Sequence, residues 1–162
     1  MTPQTYTFQD DGTFPNSRLP LILYRGALPA DAGAIEQVFA RNRWGNSWRD
    51  GIYDYHHFHT IAHEVLGVAR GEVQVALGGP AGKVLTLRAG DVVVIPAGVA
   101  HCNQGDSGDL LVVGAYPGGS EYDTCRGNPA DYDRVRQNIA QVPIPDADPV
   151  GGVEGPLRRL WR

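Results

Sequence analysis

Short apolar segments alternate with turn-forming residues through the middle of the chain. Seven of them predict β-strands, at 52–59, 64–70, 72–77, 84–88, 91–95, 99–104 and 110–116. Glycine and proline separate the segments, for example at Gly71, Gly90 and Pro96. Because no helical pattern interrupts this series, the sequence predicts an all-β sandwich or barrel.

Two of these strands, around 92–95 and 110–115, are apolar at nearly every position. A strand with one face in water would alternate apolar and polar residues, so these two strands are expected to be covered on both faces. The cover outside the barrel would come from the terminal segments of the chain or from a second subunit.

Helical periodicity occurs on either side of the strands. Asp31 is a suitable N-cap for an amphipathic helix predicted over 32–42. A second amphipathic helix is predicted over 129–140, where Pro129 occupies the first helical position. Between the first helix and the strands, Trp44 and Trp48 fall in a predicted turn and are interpreted as a hydrophobic plug or a dimer contact.

The size of the chain, 162 residues, predicts a single domain. Its expected parts are an N-terminal arm and helix over 1–49, a core barrel over about 50–117, and a C-terminal helix and extended tail over 118–162. The 21 glycines and 12 prolines suit a turn-rich β protein better than a helical one.

Composition argues against several classes of partner. The net charge of -4 and the absence of a basic run argue against nucleic-acid binding. The longest apolar run, 92–100, is interrupted by Pro96 and is too short to span a bilayer. With no signal-peptide pattern and only two cysteines, a cytoplasmic protein without a disulfide framework is expected.

The candidate chemistry lies in the histidines, four of which fall between residues 51 and 71. His57 and His59 are two positions apart, so on a strand both imidazoles would point to the same face. Glu64 begins the next strand after a gap that a tight turn can span, and His101 follows the Pro96 turn. These side chains could meet at one point across paired strands, which is the geometry of a metal site.

The spacing of these residues resembles that of the cupins. The first cupin motif, Gly-x5-His-x-His-x4-Glu-x6-Gly, matches at Gly51, His57, His59, Glu64 and Gly71. The second motif, Gly-x5-Pro-x-Gly-x2-His-x3-Asn, matches at Gly90, Pro96, Gly98 and His101, but Gly105 stands where the family has Asn. The flanks are similar to a narrower group of small bacterial cupins, the YjlB type.

The resemblance implies a double-stranded β-helix, or jelly-roll barrel, to which the two predicted helices would be peripheral. It supports His57, His59, Glu64 and His101 as ligands of one divalent transition metal. Three imidazoles and a carboxylate suit Fe, Mn, Ni, Cu or Zn, and affinity alone does not select among them. The doubly apolar strands and the cupin resemblance favour a homodimer.

Residues next to the proposed ligands have competing roles. His63 could replace Glu64, but strand parity points the two to opposite faces and the motif spacing favours Glu64. Arg70 could bind an anionic substrate, although it adjoins a turn where arginine usually reaches solvent. Cys102 follows His101 and is expected to face away from the metal.

Parity also predicts the walls of a substrate pocket. Tyr53 and Tyr55 share the parity of the paired histidines, and Leu66 and Val68 share the parity of Glu64. These four side chains are expected to line an apolar, tyrosine-containing pocket above the metal.

Three functions follow. The first is a metal-dependent enzyme, dioxygenase-like, that acts on a small oxygenated organic molecule. The second is a metal-dependent isomerase or epimerase, which would want an acid/base pair that the sequence does not clearly provide. The third is a non-catalytic module that binds a metal or a small ligand. No catalytic residue is assigned from the sequence.

Overall fold

The computed structural model describes residues 2–162, and most of its regular structure is antiparallel β-sheet. The strands are β1 (Gln4–Phe8), β2 (Ser17–Tyr24), β3 (Trp44–Asp50), β4 (Glu64–Arg70), β5 (Glu72–Leu77), β6 (Lys83–Arg88), β7 (Val92–Ile95), β8 (His101–Asp106) and β9 (Leu111–Pro117). A six-stranded sheet has the order β1-β2-β7-β4-β9-β3, and a three-stranded sheet has the order β6-β5-β8. The predicted all-β fold is confirmed.

The chain also forms short helices between and after the strands. They are α1 (Ala32–Arg41), a 3-10 turn (Pro129–Asp131), α2 (Tyr132–Gln141) and α3 (Leu157–Leu160). Asp31 caps α1 as predicted, since its carboxylate accepts a hydrogen bond from the Ala34 N–H at 2.8 Å. No helix within residues 2–162 is long and apolar enough to cross a membrane.

Alternation along the strands divides the apolar residues between two cores. On β2, Leu21 and Leu23 belong to the core that contains residues of both sheets, whereas Ile22 and Tyr24 belong to a second core on the outer face of the larger sheet. The same division holds along β7, where Val93 joins the first core and its neighbours join the second. The strands predicted to be apolar on both faces are therefore covered on both faces.

The outer cover comes from the chain itself. Ile35 and Phe39 of α1 pack against the larger sheet, and they come close to β4 because residue 67 is glycine. A Cβ atom there would lie 2.8 Å from Ile35 Cγ2. Trp44 and Trp161 complete this outer core, so Trp44 is the hydrophobic plug that the sequence predicted.

A buried carboxylate fixes the C-terminal tail. Asp148 is fully buried and accepts hydrogen bonds from the Tyr24 hydroxyl and from the backbone N–H groups of Val150, Gly151 and Leu157. With every oxygen partnered, the charge can remain buried. The tail is thereby positioned so that the Trp161 Nε1–H donates to the Pro20 carbonyl at 2.7 Å.

The predicted strand at 52–59 is wrong. This segment is a loop that makes only isolated bridges, between His57 and His101 and between Phe58 and Cys125. The two-residue period of its aromatic side chains is real, but its hydrogen-bond partners change after one residue, so no ladder forms.

The predicted turn around Trp44 and Trp48 is also wrong, because 44–50 is strand β3 and pairs with β9. Its turn-forming residues occupy an irregularity in the register between Gly45 and Trp48, where Asn46 has a φ of 55°. Strands β1 to β3 all precede the expected barrel core of about 50–117, so the larger sheet extends beyond it.

Candidate metal centre

Three histidines from two parts of the chain converge. His57 and His59 lie in the loop before β4, and His101 begins β8. The backbone N–H and carbonyl of His57 both bond to those of His101, at 3.2 and 2.9 Å, which brings the loop against that strand. One ring nitrogen from each of the three histidines lies within 4.8 Å of the others, and all three side chains are buried.

Backbone carbonyls orient each imidazole. Nδ1 of His57 lies 2.9 Å from the Tyr55 carbonyl, Nδ1 of His59 lies 2.5 Å from that of Asp123, and Nδ1 of His101 lies 3.3 Å from that of Val99. A carbonyl only accepts, so each Nδ1 carries a proton, and a ring in its neutral form then has its lone pair on Nε2. This is the tautomer in which a histidine binds a metal through Nε2.

Glu64 lies beside two of the three rings. Its Oε1 is 3.2 Å from Nε2 of His59 and 3.2 Å from Nε2 of His101. Its Oε2 accepts a hydrogen bond from the Tyr116 hydroxyl at 2.7 Å. Glu64 is not in the group of residues whose ligand atoms all lie within 4.8 Å of one another, so the carboxylate is adjacent to the triad and less central than the sequence predicted.

Glu64 and the imidazoles beside it shift one another's pKa values. Burial alone would raise the pKa of Glu64, but the charges and hydrogen bonds of His59 and His101 lower it. Burial opposes the charged form of His59 as well, yet Glu64 and Asp123 together raise the pKa of that ring. The carboxylate therefore favours a positive charge at these two Nε2 atoms, which a proton on an imidazole or a bound cation can supply, and a divalent transition metal fits this donor set.

His57 has the opposite character. Burial and the neighbouring His101 lower the pKa of His57 to about 3, so this ring is neutral at ordinary pH. A neutral imidazole is the form that binds a metal without first releasing a proton.

A cavity of about 340 Å³ opens onto the triad. Besides the histidines and Glu64, it is lined by residues that are mostly aromatic, apolar or small: Trp48, Asp50, Gly51, Ile52, Tyr53, Leu66, Tyr116, Tyr122 and Thr124. No lysine or arginine among the described residues, 2–162, lines this cavity. The volume is at the small end of ligand pockets.

The predicted pocket residues divide evenly. Leu66 lines the cavity, and so does Tyr53, although its side chain is 55% exposed at the mouth. Tyr55 stacks on Tyr53 with ring centroids 5.0 Å apart but is not among the lining residues described, and neither is Val68, which packs in the core between the sheets.

Residues that competed for a role in the site lie elsewhere. His63 is buried on the opposite side of the sheet, where its ring packs on Trp161 with centroids 4.7 Å apart. Arg70 is exposed and its Nε donates to the Asp109 carbonyl at 2.9 Å, so it does not reach the cavity. Cys102 and Cys125 are both free thiols.

Trp48 and Tyr116 are site residues that the sequence reasoning missed. Trp48 Nε1–H donates to the Tyr116 hydroxyl at 2.8 Å, and that hydroxyl in turn donates to Glu64. The indole crosses β9 where residue 114 is glycine, since a Cβ atom there would lie 2.2 Å from the ring. A glycine inside a predicted strand often marks such a close approach, and this was the available signal.

Asp123 is a second missed residue. Its carboxylate accepts from the Thr60 and Ile61 N–H groups at 2.7 and 3.2 Å and from the Thr60 hydroxyl. Its backbone carbonyl orients His59. Asp123 thus fixes the loop that carries two of the histidines, from a position 64 residues away in the chain.

Comparison with known proteins agrees with the histidine motifs. The Cupin family model matches residues 53–117. The uncharacterized protein YjlB of Bacillus subtilis (strain 168) is 42% identical over 159 residues, which is 98% of this chain and 96% of that protein.

Partial similarities to solved structures were also found. The sugar 3,4-ketoisomerase QdtA from Thermoanaerobacterium thermosaccharolyticum in complex with TDP has a TM-score of 0.42 at 16% identity, covering 58% of this chain and 74% of that one. Acireductone dioxygenase from Bacillus anthracis, with a cadmium ion in its active center, has a TM-score of 0.35 at 16% identity, covering 66% and 54%. Pumpkin seed globulin has a TM-score of 0.39 at 20% identity, and the match spans 48% of this chain but only 22% of the globulin.

Proposed function

The chain belongs to the cupin family, and from that premise we propose that it is a metal-dependent, dioxygenase-like enzyme acting on a small oxygenated organic molecule. The metal would be one divalent transition ion, such as Fe, Mn, Ni, Cu or Zn, held by His57, His59 and His101 with Glu64 as the fourth ligand. The observation that carries the proposal is the set of three Nε2 lone pairs, each fixed by a carbonyl on Nδ1, that converge beside one buried carboxylate.

A bound metal of this kind would supply Lewis-acid or redox chemistry to substrate oxygens at the floor of the cavity. The protein side chains would position the substrate and keep water out. Trp48, Leu66 and Tyr116 form apolar walls next to the floor. The Tyr116 hydroxyl donates a hydrogen bond to Glu64 and holds it in place. Burial, and to a smaller extent the charge of Glu64, raise the pKa of Tyr116. The phenol therefore stays protonated and does not act as a base.

The lining of the cavity favours a neutral substrate. Within residues 2–162, Asp50 and Glu64 are the only acidic residues that line it, and no lysine or arginine does. A carboxylate or phosphate on the substrate would face these two acids with no cationic side chain to pair with it. We therefore expect a flat or short molecule that carries carbonyl or hydroxyl oxygens, with its apolar part against the aromatic walls.

A metal-dependent isomerase or epimerase is the second candidate. It is favoured by Asp50 and Tyr122, two ionisable side chains that line the cavity near the mouth and could relay a proton. A non-catalytic metal- or ligand-binding module would use the same triad without turnover. Among the three, the walls of aromatic and apolar residues around an open site favour the enzyme.

The proposal also covers the subunit number, the cellular location and the partners of the protein. We expect a homodimer in the cytoplasm that has no nucleic-acid or membrane partner, consistent with the net charge of -4. The apolar side chains exposed near the mouth, Tyr53 and Tyr122, are candidates for a subunit contact. Light scattering at several protein concentrations measures the subunit number directly.

Metal analysis and oxygen uptake test the proposal together. Protein isolated with and without exclusion of air should contain about one transition metal per chain. The Fe(II)-loaded protein should consume oxygen with a neutral diketone or catechol and much less with a carboxylate of similar size. His57→Ala should lose both metal and uptake, whereas His56→Ala, which changes the adjacent histidine outside the triad, should keep both.

The outcomes separate the candidates. Metal with no oxygen uptake, but with proton exchange at a carbon next to a carbonyl, would establish the isomerase. Metal without either activity would leave the binding module. Wild-type protein that holds no metal, or a His57→Ala variant that holds as much as wild type, would contradict the metal centre itself.

A further inference from the structure

A second cavity, of about 740 Å³, is bounded by the N-terminal strands, helix α2 and the segment that follows α2. It shares no lining residue with the cavity of the metal centre. Its walls combine polar residues with apolar ones, and the apolar ones include Phe8, Leu19, Ala97, Ile139 and Ile144. The volume lies within the range of sites that hold small organic ligands, roughly 300–1,000 Å³.

Asn16 lines this cavity, and one of its side-chain atoms is an acceptor without a partner. The residue is 2% exposed, and its side-chain Nδ2 donates to the carbonyls of Gln9 and Gly78 at 2.8 and 3.1 Å. These two bonds fix which end of the amide is nitrogen. The remaining Oδ1 is buried and has no hydrogen-bond partner within the described chain.

His63 presents a donor without a partner. It is also 2% exposed, and its Nδ1 accepts a hydrogen bond from the Ala97 N–H at 2.9 Å. In the neutral ring the proton is therefore on Nε2, and this N–H has no acceptor among residues 2–162. The Pro143 carbonyl interacts with the ring and opposes the lowering of its pKa by burial, but it makes no hydrogen bond of good geometry to Nε2.

Two buried polar atoms without partners are costly, at about 1–3 kcal/mol each, and native proteins rarely leave them so. Here both residues line the same cavity, and because the two atoms are themselves covered, a head group that reaches them has to displace the side chains over them. The complementary group is one that carries a donor and an acceptor together.

We propose that this cavity binds a small neutral organic molecule whose head group is a carboxamide or an alcohol. The oxygen of the head group would accept from the His63 Nε2–H, and its N–H or O–H would donate to Asn16 Oδ1. The rest of the molecule would lie against the apolar walls formed by Phe8, Leu19 and Ile139.

The same two atoms discriminate against an acid. An ionised carboxylate has no proton to donate and would place a negative oxygen against Asn16 Oδ1. Arg18 and Arg136 line the cavity and could attract an anion, but the Arg18 guanidinium donates to the Arg162 carbonyl and that of Arg136 lies 3.7 Å from the Asp10 carboxylate. The amide is therefore favoured over the acid of the same shape.

The proposal does not depend on the metal centre, and it is tested with benzamide and benzoate, which are nearly equal in size and shape. NMR titration of the full-length protein, with and without a metal chelator, should show benzamide shifting the resonances of Asn16, Ala97 and Ile139. Its affinity should be at least tenfold higher than that of benzoate and unchanged by the chelator. Equal affinities, no binding, or benzamide shifts confined to the metal centre would overturn the proposal.

A pair of tryptophan variants localises the binding. Ala140→Trp adds a large side chain at the wall of the cavity on an exposed position of α2, whereas Ala130→Trp makes the same change at an exposed position outside it. We expect the first to abolish benzamide binding and the second to leave it intact, with the metal content unchanged in both. Wild-type benzamide affinity in Ala140→Trp would contradict the site, as would a high-resolution crystal structure with benzamide that shows only water between Asn16 and His63.

Discussion

The two cavities of this protein treat their buried polar atoms in opposite ways. At the metal centre, nitrogen and oxygen atoms face one another, as where Nε2 of His59 lies 3.2 Å from Oε1 of Glu64. In the second cavity, Asn16 Oδ1 and His63 Nε2 face no partner in the part of the chain described. A buried carboxylate among imidazole nitrogens calls for a positive charge, whereas isolated donors and acceptors call for a neutral polar group.

The contrast begins at two consecutive residues. His63 and Glu64 adjoin in the chain, but one packs on Trp161 outside the larger sheet and the other contacts His59 and His101. The turn at Pro96–Gly98 then serves both sides, since the Ala97 N–H bonds to His63 and the Gly98 N–H donates to the His59 carbonyl at 2.7 Å. The side chains of His63 and Glu64 point in opposite directions, and this separates the second cavity from the metal centre.

Removing a ligand from the triad should produce the largest effect. His101→Ala is expected to weaken metal binding by more than the roughly 100-fold that loss of an orienting residue can cost. Chelator competition followed by elemental analysis measures this. His56→Ala is the matched control because that ring packs on Phe14, away from the triad. Undiminished metal affinity in the His101 variant would remove this histidine from the ligand set.

The adjacent pair allows the two chemistries to be dissociated. Glu64→Gln should weaken metal binding by about 100-fold, because the buried carboxylate charge is lost, and should leave benzamide binding alone. His63→Phe should do the reverse, lowering benzamide affinity by about tenfold, the factor that 1.4 kcal/mol of a lost hydrogen bond gives. The same two measurements on both variants suffice, and a larger metal loss in the His63 variant would overturn the choice of Glu64.

Disturbing the shared turn should affect stability. Gly98 has a φ of 97°, and a Cβ atom there would lie 2.3 Å from the Asn16 carbonyl oxygen. Gly98→Ala is expected to lower the free energy of unfolding by about 2 kcal/mol more than Gly12→Ala. Gly12 has a similar φ of 87° with nothing within 4 Å, so it isolates the cost of backbone strain. Equal urea midpoints for the two variants would show that the turn yields to the added methyl group.

Loss of one orienting hydroxyl should have the smallest effect. Tyr116→Phe removes the 2.7 Å hydrogen bond to Glu64 and is expected to weaken metal binding by about tenfold. Tyr122→Phe removes a hydroxyl from the ring that stacks on Tyr116 at 4.3 Å and leaves the bond to Glu64 in place. If both variants bind metal as tightly as wild type in chelator titrations, Tyr116 does not position the carboxylate.

Parts of the fold could be predicted because their signals are local. Strands 64–70 and 72–77 have the predicted bounds, and α1 begins at residue 32 after its Asp31 cap, as expected. The strand predicted at 52–59 failed because alternation of side chains does not guarantee a continuous hydrogen-bonding partner. The strand at 44–50 was missed because its turn-forming residues lie in a register irregularity.

The spacing of His57, His59 and His101 matches the cupin motifs, and this resemblance was enough to predict that the three rings meet, although the strand predicted for His57 and His59 is a loop. The chain by itself also determined the family and the division of apolar residues between two faces of each buried strand. Only the tertiary structure decided that Asp123 orients His59, that Trp48 reaches Tyr116 and that Asn16 lies on the same cavity as His63. These contacts join segments far apart in the chain, and the periodicity of a single segment carries no information about which distant backbone will face it.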